Sequence, residues 1–578
     1  KMGLRNEGLH QMGMPGCMTR SQQNFQTSGC SISDKPAPWD NLVIEGDNFD
    51  ALRWLRMTHA GRVKCIYIDP PYNTGNKDWV YNDSYMDKED RFRQSTWLEF
   101  LYRRLTLARD LLAEDGVLLV SINDDQRALL ELMMDEALPG SKTGSFVWRT
   151  RTGGNEGGSH FFTGNHEYVL AYAKPSFKFF GTEKTLELYN QYDPLHDDWF
   201  QPDNMAQSKT RIERPNSYFP LEDPETGIWY PCNPDGVWRF VSEKLSSGAR
   251  GKTIEQLIRE RRVRFPAEQR VEVWETKEEL HNAIDRGEVP TSGRSPLLRH
   301  DLPDIDEWVG RKVGFGTPRY KRFKSQLRTP TQPLSSWITP KAEKDTIKEE
   351  SNTIISGTND EGAKAVKSIF GSKAFNYAKP VSLIRELVRQ STDPDDLVLD
   401  FFAGSATTAQ AVMELNAEDG GSRRFIMVSS TEATEEDPGK NLCRDVTAER
   451  IRLLNASDDP KYNDLAAGFA YLRTHEIAFE DLDYDLQPAD AWAALEAMHD
   501  LPLTVYDTQA AWNLHEGVTT ALVLVDRFDP GLLQWLQGRD RQNLFVYAWA
   551  PGQIAQHLDG THVDIRPVRD TLVKRFQQ

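Results

Sequence analysis

The chain has 578 residues, 39% of them hydrophobic and 27% charged, with a net charge of −18. That length suits two to four domains with ample core, and the acidic balance argues against a nonspecific basic nucleic-acid binder. Five widely spaced cysteines (Cys17, Cys30, Cys65, Cys232, Cys443) show neither metal spacing nor a disulfide framework, and no apolar run approaches transmembrane length.

The negative charge is uneven, and most of it lies in residues 431–578. The scattered cysteines fit a reducing cytoplasm, and the first residues, KMGLRNEGLHQMGMPG, lack the apolar core of a signal peptide. Residues 1–40 are rich in Gly, Ser, Gln and Met and read as an arm of low intrinsic order. Asn41–Asp50, NLVIEGDNFD, predicts a strand over Leu42–Ile44, a turn at Gly46-Asp47-Asn48 and a helix through Ala51, Leu52, Trp54 and Leu55. Asp47 at that junction suits a helix N-cap. Val63–Tyr72, VKCIYIDPPY, opens with an apolar run of β-branched and aromatic residues, hence a buried strand. Neither Pro70 nor Pro71 can donate to a sheet ladder, so the chain leaves the sheet after Asp69. A carboxylate, a rigid turn and the Tyr72 ring then sit at the carboxyl end of a strand, where open α/β sheets bind ligands. The plain alternative is a strand closed by an ordinary Asp-Pro turn.

Asn73–Tyr85 is a Gly-, Asn- and Asp-rich loop, either a cover over the neighbouring turn or a simple connection. Ser95–Ala113 puts Trp97, Leu101, Leu105, Ala108 and Leu112 on one helical face. Gly116–Ile122 is the next buried strand, and a helix spans about Gln126–Leu138. Such alternation predicts a parallel sheet. Ser145–Arg149 and Glu167–Ala173 are two more strands, expected as a hairpin at the sheet edge. The Gly-rich loop between them leads into no helix and is no phosphate cradle.

Residues 179–365 change character: prolines cluster, aromatics are dense and the alternation fades. Ala249–Arg264 carries Arg250, Lys252, Arg259, Arg261, Arg262 and Arg264. Arg311–Arg328 carries Arg311, Lys312, Arg319, Lys321, Arg322, Lys324 and Arg328, interleaved with Phe315, Tyr320 and Phe323 and with no acidic residue. Local basic blocks of this kind suit phosphate contact; the alternative is a solvated basic face. Ser247–Thr253, SGARGKT, ends like a phosphate-binding loop, but Ser246 stands where its first glycine belongs and no strand precedes it.

Phe375–Pro380, FNYAKP, precedes a helix from Val381 to about Gln390, with Lys379 at its start. Leu397–Thr408, LVLDFFAGSATT, predicts a strand over Leu397–Leu399, then Asp400, a small-residue turn and a helix from Thr407. Small residues let the backbone approach a ligand at a helix N-terminus. Alanine fits this turn only at negative φ, so Ala406 is expected there. Phe425–Val428 is a further strand, ending near Glu432. Residues 456–578 read as a small α/β domain with strands Ala521–Val525, Leu544–Trp549 and His562–Ile565 and a short helix Pro551–Leu558.

Asp69-Pro70-Pro71-Tyr72 resembles the catalytic motif of amino-group DNA methyltransferases acting on adenine N6; the cytosine-N4 branch usually has Ser first. DFFAGSATT resembles their donor-binding loop, with Ala406 where Gly is usual. The DPPY turn precedes the donor loop, with a long insert between, which resembles the β group with its circularly permuted sheet. GDNFDAL, IDPPYNTGN, HEYVLAYAK and the insert together are similar to the modification subunit of type III restriction–modification systems. The likeness covers about 41–178 and 366–455.

The resemblance implies an α/β fold: a Rossmann-like methyltransferase sheet using S-adenosylmethionine. Its first half would be 41–178, its cofactor half 366–455, its target-recognition insert 179–365, and 456–578 a domain for assembly. An exocyclic amine is a poor nucleophile because its lone pair is delocalised into the ring. The implied remedy is two acceptors, Asp69 and the Pro70 carbonyl, in a turn completed by Pro71. Tyr72 would stack on a base drawn out of the duplex. Asp400, Phe402, Ala403, Gly404, Ser405 and Thr407 would line the donor, Asp47 and Glu432 its nucleoside, and Lys379 its carboxylate. Arg261, Arg262, Arg264, Arg311, Lys312, Arg319, Lys321, Arg322, Lys324 and Arg328 would meet double-stranded DNA. A homodimer, a restriction or ATPase partner, no metal and a prokaryotic cytoplasm complete the expectation. RNA or cytosine N4 as target, and a recognition subunit directing a partner nuclease, remain as alternatives. All of this requires Tyr72 and Gly404 to meet in space.

Overall fold

An eleven-stranded sheet organises the larger part of the molecule. The computed structural model describes residues 14–15, 19–20, 37–73, 93–151, 153, 163–184, 186–245, 251–267, 269–327, 329–343, 352–431, 439–478, 481–537, 543–557 and 563–577. The Asn73–Tyr85 loop beyond Asn73, most of the N-terminal arm, Arg250, Arg328 and Glu432 lie outside them. Two units form, one of Lys1–Thr182 with Pro333–Gln578 and one of Glu183–Gln332.

In the first unit, β1 (Asn41–Glu45) leads into α1 (Asn48–His59) and β2 (Val63–Ile68). Next come α2 (Arg93–Leu111), β3 (Leu112–Ile122), α3 (Asp124–Ala137), β4 (Lys142–Arg149) and β5 (His166–Ala173). After the second unit come β6 (Trp337–Pro340), β7 (Ile354–Ser356), α4 (Asn359–Phe370), α5 (Val381–Arg389), β8 (Leu397–Asp400), α6 (Thr407–Asp419) and β9 (Arg424–Ser429). Then follow α7 (Glu449–Asn455), β10 (Phe469–Arg473) and α8 (Pro488–Met498). The order across the sheet is Thr19–Arg20, β10, β1, β9, β8, β2, β3, β5, β4, β6, β7.

The late strand β8 therefore sits in the middle. Val398 and Leu399 pair in parallel with Cys65 and Ile66 of β2, and Leu397–Asp400 pair in parallel with Arg424–Met427 of β9. This is the permuted order expected from the sequence. Every residue of β2 and β8 is buried because helices cover both faces. On one face Val63, Ile66 and Ile68 pack with Trp54, Leu55, Leu101, Leu105 and Leu130. On the other, Cys65 and Tyr67 pack with Leu383, Leu387 and Val412. Each such aliphatic or aromatic side chain contributes about 1.5–3 kcal/mol on burial.

Four expectations change. The β4–β5 hairpin forms, antiparallel and in the expected place, but it is not the sheet edge. β6 pairs in parallel with β4, and β7 with β6. The free edge of β4 is thereby covered by strands that the sequence places within the insert. The insert accordingly narrows from 179–365 to Glu183–Gln332. Residues 456–578 do not stand apart. β10 pairs with β1, and Trp492, Leu495, Tyr547, Leu572 and Phe576 share one hydrophobic cluster with Trp54 and Leu55. The chain beyond α8 adds a four-stranded sheet of Trp512–Glu516, Ala521–Val525, Leu544–Ala548 and Ile565–Pro567. Finally, the arm contributes Thr19–Arg20, which pairs with β10, and Met14–Pro15, which pairs with Glu476–Ile477.

The second unit contains two small four-stranded sheets and two hydrophobic clusters. One cluster gathers Met205, Leu221, Tyr230, Trp238 and Leu257; the other gathers Trp274, Leu280, Leu298 and Trp308. No helix among the described residues is long and apolar enough to cross a membrane.

The shared core makes a prediction. Trp492→Ala removes a side chain that is 1% exposed and should cost about 3–5 kcal/mol. Urea unfolding followed by circular dichroism should show the transition of the whole first unit moving to lower urea. Early melting of the C-terminal sheet alone, with the rest unmoved, would contradict a common core.

Candidate active site

β2 and β8 are adjacent and parallel, so both end on the same side of the sheet. Asp69-Pro70-Pro71-Tyr72 leaves β2 there, and Asp400–Ala406 leaves β8 there. The two strand ends that the sequence reading needed to meet are neighbours. The Trp97 indole donates to the Pro71 carbonyl at 2.8 Å and pins the first turn from α2.

Four polar side chains converge behind that turn. The Tyr72 hydroxyl lies 2.8 Å from Asp69 Oδ1 and 3.0 Å from Glu167 Oε2. The Lys379 ammonium donates to the Tyr72 hydroxyl at 2.8 Å and lies 3.0 Å from Asp69 Oδ1 and 3.3 Å from Glu167 Oε2. The Lys379 side chain is 9% exposed. Burial pushes the Asp69 carboxyl above its ordinary value; Lys379 opposes this and Glu167 adds to it. Burial alone would lower the Lys379 ammonium, but Asp69 and Glu167 outweigh it and hold it above its usual value. Burial also raises the Tyr72 phenol, with the Asp69 and Glu167 charges acting in the same direction. The sequence reading put Lys379 on the carboxylate of the methyl donor. In the structure its ammonium stands within this cluster, as a cation between two carboxylates buried beside one phenol.

The second turn is built from below. Asp400 is buried; its Oδ1 accepts from the Phe402 N–H at 3.0 Å and its Oδ2 from the Thr408 hydroxyl at 2.6 Å. Burial pushes its carboxyl up to about 7, against those two hydrogen bonds. Gly404 has φ +47, and a Cβ there would meet the Phe375 ring at 2.9 Å. Ala406, expected at negative φ, lies in the left-handed region with φ 57 and ψ 34. It occupies the position at which the resembled pattern carries glycine. Alanine in this region costs about 1–2 kcal/mol, so the neighbouring structure must impose it.

Arg450 of α7 supplies that constraint. It donates to the Ser405 carbonyl at 2.8 Å, the Thr407 hydroxyl at 3.1 Å and the Gln410 side chain at 2.9 Å. Its guanidinium is fully buried, and burial lowers it to about 10. The Thr447 hydroxyl donates to the Gly404 carbonyl at 2.7 Å. Ser405 and Thr407 are buried and within 3.1 Å of each other, while Phe402 and Ala403 are buried beside them.

Asp47 caps α1 through the Phe49 N–H and receives Arg104 of α2 at 2.8 Å. Next to it, Asn48 donates to the Phe401 carbonyl at 2.9 Å, so the α1 start and the Asp400–Ala406 loop are tied together. At the end of β9 the Ser429 and Ser430 hydroxyls are buried without partners among the described residues. They lie next to the loop, whose Ala403 N–H donates to the Val428 carbonyl at 3.0 Å.

Sequence reasoning missed Glu167, Arg450, Arg104 and the serine pair. Glu167 lies within the HEYVLAYAK stretch, where it reads as the polar start of an apolar strand. Arg450 looks like any surface arginine of a short helix. No local signal marks which charged residue a neighbouring element will bury.

The basic residues of the second unit divide by surroundings. Arg262 is 6% exposed and lies over the Tyr320 and Phe323 rings at 5.8 and 5.2 Å. Lys321 pairs with Asp193 at 2.8 Å. Arg311 stacks on Trp229 at 4.3 Å, Arg264 bonds Gln191, and Arg261 faces Glu225 at 3.5 Å. Arg322 is exposed and only reaches Asp203 at 4.0 Å. Lys312, Arg319 and Lys324 are exposed.

The sequence profile of the DNA methylase family matches residues 63–436, more than half of the chain. The chain belongs to the DNA methylase family. This methylase is 30% identical over 489 residues to the type III restriction-modification enzyme StyLTI Mod subunit of Salmonella typhimurium, covering 78% of this chain and 62% of that one. It is likewise 30% identical over 483 residues to the EcoPI Mod subunit of Escherichia phage P1, covering 75% and 65%. It is 27% identical over 406 residues to the type II methyltransferase M.KpnI of Klebsiella pneumoniae, covering 67% and 80%. The chain thus spans less than two thirds of the length of the two Mod subunits.

The strained turn of the methylase is testable. Ala406→Val places a branched side chain in the left-handed region within a closed pocket and should cost more than about 2 kcal/mol. Ala406→Gly relieves the strain but loses a buried methyl, and should stay within about 1 kcal/mol of the parent. Denaturant midpoints of the two variants check both signs.

Proposed function

We propose that this methylase transfers a methyl group from S-adenosylmethionine to N6 of adenine in double-stranded DNA, as the modification subunit of a restriction–modification system. The observation that carries the reading is the meeting of the Asp-Pro-Pro-Tyr turn and the small-residue loop at the ends of two paired central strands.

The Ser429 and Ser430 hydroxyls, buried without partners among the described residues, fit a ligand with polar groups beside the Gly404–Thr407 turn. These residues would hold the donor. When bound, S-adenosylmethionine supplies an electrophilic methyl on a sulfonium. The remaining work falls to the chain. Tyr72 and Lys379 both engage Asp69 Oδ1, leaving Oδ2 for the target amine. The Pro70 carbonyl is the second acceptor. Together they localise the amine lone pair toward the methyl, and they are already oriented before the base arrives. The Tyr72 ring is proposed to stack on the base, which must leave the duplex to reach the site. The aspartate at position 69 favours adenine over cytosine. Mod subunits and type II methyltransferases among the relatives support DNA as the substrate and a restriction partner. A homodimer and a prokaryotic cytoplasm belong to the same proposal.

The Glu183–Gln332 unit is proposed to read the DNA. Arg319, Arg322, Lys312 and Lys324 are its candidates for phosphate contact. Arg262 and Lys321 are given to holding the unit together instead.

Measurements on the site and on the second unit test this. Asp69→Ala should lower transfer of labelled methyl to DNA by about a thousandfold or more, while calorimetric binding of S-adenosylmethionine persists. Mass analysis of the nucleosides made by the parent should show N6-methyladenine; N4-methylcytosine would overturn the choice of base. In the second unit, Arg319→Ala with Lys324→Ala should weaken DNA binding equally on all sequences and flatten the salt dependence of log K by about two. Arg262→Ala should instead lower the melting temperature of the protein.

A further inference from the structure

We propose that Glu167 is the exit for the proton that the target amine loses, reached from Asp69 through the Tyr72 hydroxyl. This rests on the methyltransferase reading above and names a residue for which that reading has no use.

When the N6–C bond forms and the S–C bond breaks, the amine nitrogen becomes cationic. One N6–H bond must then break, its electron pair staying on nitrogen. Asp69 is the nearest acceptor, but a bound base covers it, and a protonated Asp69 cannot serve the next turnover. The Tyr72 hydroxyl bridges Asp69 Oδ1 at 2.8 Å and Glu167 Oε2 at 3.0 Å, both ordinary hydrogen-bond lengths. With the base gone, the Asp69 carboxyl turns about its Cβ–Cγ bond so that the protonated oxygen faces Tyr72, and it gives that proton to the Tyr72 oxygen as Tyr72 gives its own to Glu167. Tyr72 is unchanged at the end, and Glu167, at the outer start of β5 and 18% exposed, releases the proton to water. Lys379 donates to the Tyr72 oxygen at 2.8 Å and lies 3.3 Å from Glu167. It pairs with both carboxylates and holds the phenol oxygen between them. Glu167 is thus a positioning residue that acts through Tyr72, and Tyr72 has a role besides its ring.

The test uses the full chain with DNA and S-adenosylmethionine. Glu167→Gln keeps the size and a hydrogen-bonding group but takes no proton. Its kcat should fall by about tenfold or more, with KM for donor and DNA within about twofold and with an enlarged solvent deuterium isotope effect. Tyr72→Phe keeps the ring and should show the same enlarged isotope effect. The double variant should be no slower than the slower single one, because both break one path. Wild-type kcat and isotope effect in Glu167→Gln, or losses that multiply in the double variant, would overturn the relay alone. If the parent transfers no methyl to DNA, the methyltransferase reading falls and the relay with it.

Discussion

The parallel pairing of Val398 and Leu399 with Cys65 and Ile66 is the contact on which the site depends. It joins segments more than three hundred residues apart and sets two turns side by side. Parallel strands need long crossovers, and here the crossover has room for a complete second unit. Because both strands are buried on both faces, a slip in register would expose aliphatic side chains to the wrong layer. The core thus enforces the register, and the register sets the Asp69–Tyr72 turn beside the Asp400–Ala406 loop.

Within that frame the chemistry is governed by burial. One ammonium stands among two carboxylates and a phenol in a poorly solvated place. Removing one member of a buried charged set leaves the others uncompensated, typically at about 3–5 kcal/mol. Burial raises the Asp69 carboxyl above its ordinary value, and Lys379 opposes that rise without cancelling it. Arg450 does similar work beneath the donor loop with neutral partners, holding Ser405 and Thr407 on either side of a backbone angle that alanine disfavours. Strain of this sort persists only where the surroundings over-determine it.

The second unit shows the same rule on a basic surface. Cations that read as one block in sequence are sorted by their neighbours. Arg262 disappears under aromatic rings and Lys321 is neutralised by Asp193. Arg319 and Lys324 keep their heads in solvent. Charge density along a chain therefore overstates what a phosphate backbone can meet.

The sequence by itself determined much of this protein. Prolines after an apolar run ended β2 where they had to, and small residues after LVLD opened the donor loop, because both effects are local. Helix and strand periods located β1 to β5, β8 and β9 of the main sheet, but not β6, β7, β10 or Thr19–Arg20. Tertiary structure alone decided the rest. Whether Lys379 faces the donor or Asp69 depends on Glu167 arriving from a different strand. Whether β4 is an edge depends on β6 and β7, which carry too few residues for a periodic signal. Whether 456–578 forms its own domain depends on which hydrophobic face Trp492 finds. These are contacts between distant segments, and the free energy of a contact does not appear in the residues of one partner.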